Sequence, residues 1–208
     1  MKSKAFTIKY GDRTVLDVPE MEFEKGRIYA VMGANGSGKT TFAKALANGG
    51  LYDKDVRTGY MPQKNFAYRM SVLKNALVTG ADEKRVLGYL SRLGMENLLR
   101  ENAKNLSGGE TAKLALARIL GASFDLLILD EPTAAMDVES TFESEKLIKE
   151  YCGNENAAVV IITHSSGQAY RMADELIFLY KGKVLERGNA RNVIDDPSNE
   201  ETKKFLSL

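Results

Sequence analysis

A glycine-rich segment at residues 33–40 constrains the fold of this chain more than any other feature. It reads Gly-Ala-Asn-Gly-Ser-Gly-Lys-Thr and fits the pattern G-x-x-x-x-G-K-[ST] of a phosphate-binding loop. An apolar run at residues 28–32 precedes it and a helix-like stretch at residues 41–47 follows. Strand, loop and helix thus occur in the order that such a loop requires. The alternative, a glycine turn beside a surface lysine, leaves this context unexplained.

The loop predicts a nucleotide site with defined roles. Glycines let the backbone approach a phosphate closely, and the N–H groups at the start of the helix face its negative charge. Lys39 is expected to reach the β- and γ-phosphates, and the Thr40 hydroxyl to bind Mg²⁺. The residues predicted to contact the nucleotide here are Gly33, Ala34, Asn35, Gly36, Ser37, Gly38, Lys39, Thr40 and Thr41.

Two adjacent carboxylates follow a second apolar strand. Asp130 and Glu131 come directly after residues 126–129, which read Leu-Leu-Ile-Leu. Ligands of open α/β sheets bind at this end of the strands, so we expect Asp130 to hold Mg²⁺ and Glu131 to deprotonate the attacking water as general base. Pro132 is expected to keep Glu131 extended. Without the phosphate loop, two adjacent acidic residues at a strand end are solvated turn residues about as often as they are functional ones.

A second glycine-rich helix start lies at residues 106–110, Leu-Ser-Gly-Gly-Glu, before the strongly helical residues 111–120. It could bind an anion at the helix N-terminus or serve as an ordinary helix cap. A nucleotide bound to the phosphate loop would not use both glycine-rich helix starts of the same chain. The second helix start therefore needs a separate explanation.

The remaining pattern predicts an α/β protein with a mainly parallel sheet. Residues 158–162 form another fully apolar strand after a helix at residues 138–151, which Asp137 is placed to cap. Residues 6–10 and 14–24 favour an antiparallel opening, and residues 71–105 have helical spacing. Residues 176–180 and 183–186 predict a closing hairpin, and Ser198 with Glu201 a capping box for a terminal helix.

Bulk properties restrict the partners and the setting. The 208 residues are 44% hydrophobic with a formal net charge of +1, which suits one globular domain and gives no basic field for nucleic acid. The single cysteine, Cys152, cannot form an internal disulfide. No apolar run approaches the roughly 20 residues that span a bilayer, and the N-terminus has no signal-peptide pattern. A membrane role would need a partner chain.

Together these motifs, with Gln63 between them and His164 after the last apolar strand, resemble the ATP-binding subunit of ATP-binding cassette (ABC) transporters. The resemblance covers nearly the whole chain. It implies an ABC ATPase fold over residues 1–208: a phosphate-loop core, a trimmed antiparallel β-lobe and a small helical lobe inserted at about residues 71–120. It also implies an ATPase that uses ATP and Mg²⁺ and dimerises head to tail.

The resemblance assigns further roles. Gln63 would touch Mg²⁺ and the nucleotide, His164 would contact the γ-phosphate and steady the water and the base, and Tyr10 would stack on adenine. In isolation, His164 could equally be structural and Tyr10 an ordinary strand residue. The residues implied to contact the nucleotide held by the other copy are Ser107, Gly108, Gly109, Glu110 and Asp137.

The chain departs from the family pattern in three places. Glu110 stands where glutamine is most common, and residues 134–137 read Ala-Ala-Met-Asp where Ser-Ala-Leu-Asp is usual. Only 23 residues separate Lys39 from Gln63, fewer than is common. The rate of hydrolysis is therefore open.

The resemblance implies a subunit on the cytoplasmic face of the cell membrane, bound to an integral permease. The ending at residues 193–206 is similar to importers, so a small polar solute or ion and a solute-binding protein are expected. The groove for the permease would take its apolar surface from Phe66, Ala67, Tyr68, Met70, Val72 and Leu73, unless these pack the helical lobe. The alternative function is a soluble ABC-type ATPase of a cytoplasmic assembly machine, such as iron–sulfur cluster assembly.

Overall fold

The computed structural model describes residues 1–52 and 54–207, so Asp53 and Leu208 lie outside the described chain. The strands in chain order are β1 (Lys2–Ser3), β2 (Phe6–Tyr10), β3 (Arg13–Val18), β4 (Met21–Glu22), β5 (Ile28–Met32), β6 (Thr58–Met61), β7 (Leu126–Asp130), β8 (Ala158–Ile162), β9 (Glu175–Tyr180) and β10 (Lys183–Asn189). The helices are α1 (Lys39–Leu46), α2 (Val72–Ala76), α3 (Glu83–Arg92), α4 (Gly108–Leu120), α5 (Val138–Asn154), α6 (Ser166–Met172), α7 (Ala190–Asp195) and α8 (Glu200–Leu206).

The framework is a mixed sheet whose strand order within the described residues is β2-β3-β10-β9-β5-β8-β7-β6. From β9 to β6 every neighbouring pair is parallel, whereas β2 with β3 and β9 with β10 are antiparallel. Strands β1 and β4 form a separate antiparallel pair. The predicted α/β class with a mainly parallel sheet is confirmed.

The central strands are apolar throughout because both faces of the sheet are covered. All residues of β5, β7 and β8 are buried. Leu127 and Leu129 share one core cluster with residues of α4 and α5, while the alternate residues of β7 pack with Phe42 and Leu46 of α1. Full burial of one such side chain stabilises the fold by about 1.5–3 kcal/mol. This packing fixes the edge of the sheet at which β5, β7 and β8 end.

The segment predicted as a helical lobe contains α2, α3 and α4, with two short 3-10 turns between α3 and α4. Helix α4 packs against α2, α3 and α5. The side chain of Arg92 joins α3 to α5 by ion pairs with Glu143 and Glu150. The helices occur where the sequence predicts them, and the boundaries of a distinct lobe stay a prediction.

Local signals at two elements are confirmed. The Asp137 carboxylate accepts a hydrogen bond from the Ser140 N–H at 2.8 Å and caps α5. Strands β9 and β10 form the predicted hairpin. Its turn is Lys181-Gly182, both with positive φ, as a two-residue turn with matching twist requires.

Two local predictions are wrong. The terminal helix α8 is capped by Asn199, whose side chain accepts from the Glu201 N–H at 3.0 Å. Ser198 instead lies one residue before the cap and donates its N–H to Glu186 at 2.7 Å. The predicted edge strand at residues 14–24 is divided, because β3 ends before Pro19 and β4 pairs in the other sheet.

Among the helices of residues 1–52 and 54–207, none has both the length and the apolar character to cross a membrane.

Candidate nucleotide-hydrolysis site

The ends of four parallel strands bring the predicted catalytic residues to one edge of the sheet. The glycine-rich loop follows β5, Glu131 follows β7, His164 lies two residues beyond β8, and Gln63 lies two beyond β6. The carboxyl edge of an open α/β sheet is where ligands bind. Residues far apart in sequence therefore meet here because of the strand order.

These residues line one cavity of about 310 Å³. Its walls are Val15, Asn35, Gly36, Gly38, Lys39, Thr40, Thr41, Gln63, Asp130, Glu131, Ile162 and His164. Most of the residues predicted to contact nucleotide, metal ion and attacking water are in this set. Val15 and Ile162 are additions.

The glycines of the loop are required by its geometry. Gly33, Gly36 and Gly38 have φ of 148°, 79° and 104°, backbone angles that residues other than glycine rarely adopt. A Cβ on Gly38 would also lie 2.7 Å from Cδ2 of Leu16. No side chain caps α1, which begins directly after Gly38. Gly38 itself has no side chain that could accept from the first N–H groups, which suits an anion site at this position.

Lys39 is a buried cation held by the loop. Its Nζ donates to the carbonyl oxygens of Gly33 at 2.7 Å and Ala34 at 3.1 Å, and the residue is 7% exposed. Burial lowers the pKa of Lys39, while the nearby Glu131 and Asp130 act in the opposite direction. Because its hydrogen-bond partners within the described part of the chain are carbonyl oxygens, this buried ammonium would gain from an anionic ligand.

Asp130 is nearly inaccessible to solvent, and its carboxylate lies beside two side-chain hydroxyl groups. Burial raises the pKa of Asp130, and hydrogen bonds from the side chains of Thr40 and Tyr60 oppose this rise. The Tyr60 hydroxyl is 3.4 Å from Oδ2, and burial raises the pKa of Tyr60 to about 12. Of the three residues predicted to bind Mg²⁺, Thr40 and Asp130 are therefore joined by a hydrogen bond, and Gln63 lines the same cavity.

Glu131 has the electrostatic properties of a general base. Burial, followed by the charge of Asp130, raises the pKa of Glu131 to about 7, against the effects of Lys39 and of the His164 backbone N–H. Its Oε1 is 3.2 Å from Nε2 of His164, yet among the described residues this buried oxygen accepts no hydrogen bond. A buried, unsatisfied acceptor in a cavity can accept a proton from a bound water.

The prediction that Pro132 keeps Glu131 extended is wrong. Glu131 has φ of 52°, in the left-handed region, and its N–H donates to the Ile162 carbonyl at 3.0 Å. Proline disfavours the right-handed helical region of the preceding residue, which leaves more than the extended region open. Such strain in a residue other than glycine is typical of functional sites.

His164 lies at the rim of the cavity with 45% of its side chain exposed. Burial, and then the charge of Lys39, lower the pKa of His164, and Asp130 opposes them. The imidazole is therefore neutral at neutral pH and can donate one hydrogen bond while accepting another.

Several predicted residues lie outside this cavity. Tyr10 ends β2 with 66% of its surface exposed and does not line the cavity. Residues 107–110 start α4 elsewhere on the surface, and Asp137 lines a larger cavity of about 540 Å³ among paired charges. Their roles toward a nucleotide stay predictions.

Sequence reasoning missed Val15, Ile162 and Tyr60 as residues of the site. Ile162 is the last residue of an apolar strand and Tyr60 lies in register with Ile128 on the neighbouring strand. Position at the end of a parallel strand was the available signal for both. Val15 arrives by tertiary packing of β3, for which the sequence has no local signal.

Comparison with known proteins identifies the class to which this fold and site belong. The family model for ABC transporters matches residues 16–134, from β3 to just beyond Glu131. The chain therefore belongs to the ABC transporter ATP-binding family, whose members bind nucleotide and hydrolyse ATP. The predictions of this family and of an ATPase are confirmed.

Curated relatives are ATP-binding proteins of import systems. The chain is 37% identical to the tungstate uptake ATP-binding protein TupC of Peptoclostridium acidaminophilum, with 85% of this chain and 92% of the relative covered. It is 30% identical to the phosphate import protein PstB of Thermotoga maritima, with 97% and 95% covered. The zinc import protein ZnuC of Vibrio parahaemolyticus is 33% identical, with 92% and 77% covered. These relatives do not favour the alternative of a cytoplasmic assembly ATPase.

Solved structures agree in fold. An ATP-binding subunit of an ABC transporter superposes with a TM-score of 0.83 at 20% identity, covering 100% of this chain and 99% of the other. A dimeric bacterial ABC transporter cassette gives a TM-score of 0.78 at 23% identity, covering 91% and 98%. The predicted ABC ATPase fold is confirmed.

Proposed function

We propose that this chain is the ATP-hydrolysing subunit of an importer for a small polar solute or ion. It works as a head-to-tail dimer around two Mg-ATP, on the cytoplasmic face of the membrane, and drives a separate permease. The observation that carries this proposal is the convergence of the glycine-rich loop, Asp130, Glu131 and His164 on one cavity.

The cavity fits a nucleotide triphosphate with Mg²⁺. Thr40 and Asp130 supply oxygen ligands in mutual contact, and Gln63 lines the same wall. No cluster of three metal-binding side chains occurs in residues 1–52 and 54–207. Mg²⁺ is commonly held by one or two protein oxygens together with substrate phosphates, so this donor set suits it. When bound, the ion would neutralise charge on the phosphates.

The residues of the cavity divide the work of hydrolysis. Lys39 and the N–H groups at the start of α1 bind the phosphates. Glu131, with a pKa of about 7, takes the proton from the attacking water, because a base is most effective when its pKa is near the working pH. Neutral His164 lies beside Glu131 and orients the water and the γ-phosphate.

The dimer completes the site. Helix α4 starts at a surface position with Ser107, Gly108 and Gly109, and Asp137 lies beside it. These residues do not line the cavity of their own chain, so a second copy can present them to its nucleotide. The dimeric cassette of the same fold supports this arrangement, and Tyr10 is left exposed to stack on adenine.

Import is supported by relatives that serve tungstate, phosphate and zinc uptake. The solutes named for these three relatives are all small ions. The proposal therefore includes a permease and a solute-binding protein that delivers the solute to it.

A groove of about 160 Å³ beside Gln63 is the proposed docking surface for the permease. Phe66, Tyr68 and Val78 are 50%, 45% and 45% exposed there. Phe66 and Tyr68 lie over the guanidinium of Arg118, with centroids 5.4 and 5.8 Å away. Buried Oδ1 of Asn65 has no partner among the described residues. This chemistry suits a helix with apolar side chains and a hydrogen-bond donor.

Two residues expected in the groove belong to the core instead. Ala67 and Val72 are 8% and 0% exposed and pack in the cluster around α4. Val72 begins α2 and Ala67 lies in the loop before it, and both face this cluster, so the expectation that they supply the docking surface is wrong.

Copurification tests the proposal. The tagged chain, extracted from native membranes in mild detergent, should bring a multi-span membrane protein at near-equal amount. Phe66→Ala should lose that partner. Phe142→Ala is the matched control, because Phe142 is also 45% exposed and lies 4.9 Å from the guanidinium of Arg171. Recovery of soluble partners alone would favour the assembly ATPase.

A further inference from the structure

At the glycine-rich start of α4, Ser107 and Glu110 form hydrogen bonds with each other. Oε2 of Glu110 accepts from the Ser107 N–H at 2.8 Å and from the Ser107 hydroxyl at 2.7 Å. In return the Glu110 N–H donates to Oγ of Ser107 at 3.3 Å. The single hydroxyl proton of Ser107 is therefore held by the carboxylate.

Glu110 is an ionised group in this arrangement. Hydrogen bonds from the Ser107 side chain and backbone hold the pKa of Glu110 below its usual range, and Lys113 acts in the same direction. Lys113 also lies 4.0 Å from Asp137. The ion pair of Lys113 is thus with Asp137, and its influence on Glu110 is weaker than that of the Ser107 hydrogen bonds.

The start of α4 packs closely on the loop before Asp137. A Cβ on Gly109 would be 2.9 Å from the Ala135 carbonyl oxygen. The backbone beside Ser107 and Glu110 therefore has no room to move toward that loop.

The oxygens of a γ-phosphate accept hydrogen bonds and cannot donate them when ionised. A productive contact with Ser107 therefore needs the hydroxyl proton that Glu110 now holds. It also brings the phosphate charge toward a carboxylate. The hydrogen bonds to the carboxylate and to the phosphate are both charge-assisted, so the exchange of one for the other gains little. The repulsion between the phosphate and the Glu110 carboxylate is then what opposes binding.

We propose that Glu110 is a positioning residue that holds the Ser107 hydroxyl away from the nucleotide of the other copy and so weakens ATP-driven closure of the dimer. This inference rests on the proposed head-to-tail dimer. The glutamine variant keeps the shape of the side chain and removes its charge. We expect Glu110→Gln to tighten the dimer about tenfold, which corresponds to about 1.4 kcal/mol.

The test uses the full chain in a Glu131→Gln background with Mg-ATP. Sedimentation velocity over a wide range of protein concentration gives the dimer dissociation constant for three forms: Glu110 intact, Glu110→Gln, and Glu101→Gln as a control at an exposed glutamate. The same series in a Ser107→Ala background isolates the role of the hydroxyl. Fluorescence titration with a labelled ATP checks that binding to the monomer is unchanged.

The expected result is a tighter dimer for Glu110→Gln alone, with a smaller gain when Ser107 is alanine. An ATP-dependent dimer of equal strength with Glu110 and with glutamine would overturn this inference and leave the proposed function standing. If Glu110→Gln tightened the dimer just as much in the Ser107→Ala background, the claim that Glu110 acts through the Ser107 hydroxyl would be overturned. Absence of an ATP-dependent dimer in every variant would overturn the proposed dimer and the inference with it.

Discussion

Glu131→Gln should stabilise the folded protein at pH 8 and have much less effect at pH 5. The buried carboxyl has a pKa of about 7 in the folded chain, against an ordinary value of 4.5. A group whose pKa is raised by folding contributes stability that is present below its unfolded value and lost as pH rises through its folded value. Ionised Glu131 therefore lowers the free energy of unfolding, and glutamine, which does not ionise, avoids this loss.

The magnitude follows from the two pKa values. Between pH 5 and pH 8 the linkage relation gives a loss of about 2.5 kcal/mol for the wild type, as an upper bound. Relaxation around the charge reduces this, and we expect a difference of about 1–2 kcal/mol to be measured.

Equilibrium urea unfolding at both pH values measures the difference directly. The quantity is the free energy of unfolding of Glu131→Gln minus that of the wild type, without nucleotide. Glu101→Gln serves as the control, since it removes one exposed carboxylate. The same difference at pH 5 and pH 8, or a loss of stability at pH 8, would refute a buried and uncompensated Glu131.

Three further predictions follow from the same structure. Lys39→Ala should abolish Mg-ATP binding in calorimetry, because it removes the buried cation of the loop; unchanged affinity would contradict the phosphate-loop assignment. The kcat/KM for ATP should rise about tenfold from pH 6 to pH 8 as a base of pKa about 7 loses its proton, and a flat profile would exclude this role. Leu129→Ala, at a fully buried position of β7, should cost about 2–5 kcal/mol of unfolding free energy, whereas Val78→Ala at an exposed position should cost less than about 1 kcal/mol.

Local signals predicted much of the fold and the site. The phosphate loop, the Asp137 cap and the β9–β10 hairpin each depend on a few neighbouring residues. The apolar strands β5, β7 and β8 could be predicted because burial on both faces leaves a continuous apolar run. Asp130 and Glu131 followed from their position at the end of such a strand.

The errors arose where distant residues decide the local structure. Ser198 and Asn199 are both good helix caps, and the N–H groups of both donate to Glu186 of β10, which positions the start of the helix from outside the local sequence. The φ of Glu131 depends on the bond from its N–H to Ile162 on another strand. Val15 reaches the cavity through β3, whose pairing with β10 is long-range. None of these partners can be read from neighbouring sequence.

Phosphate release by Glu131→Gln is the most direct test of the central claim that this cavity hydrolyses ATP with Glu131 as its base. The variant should bind Mg-ATP as the wild type does and release phosphate at least about 100-fold more slowly, since a general base contributes about 10²–10⁴-fold. Turnover at the wild-type rate, with binding intact, would contradict the account.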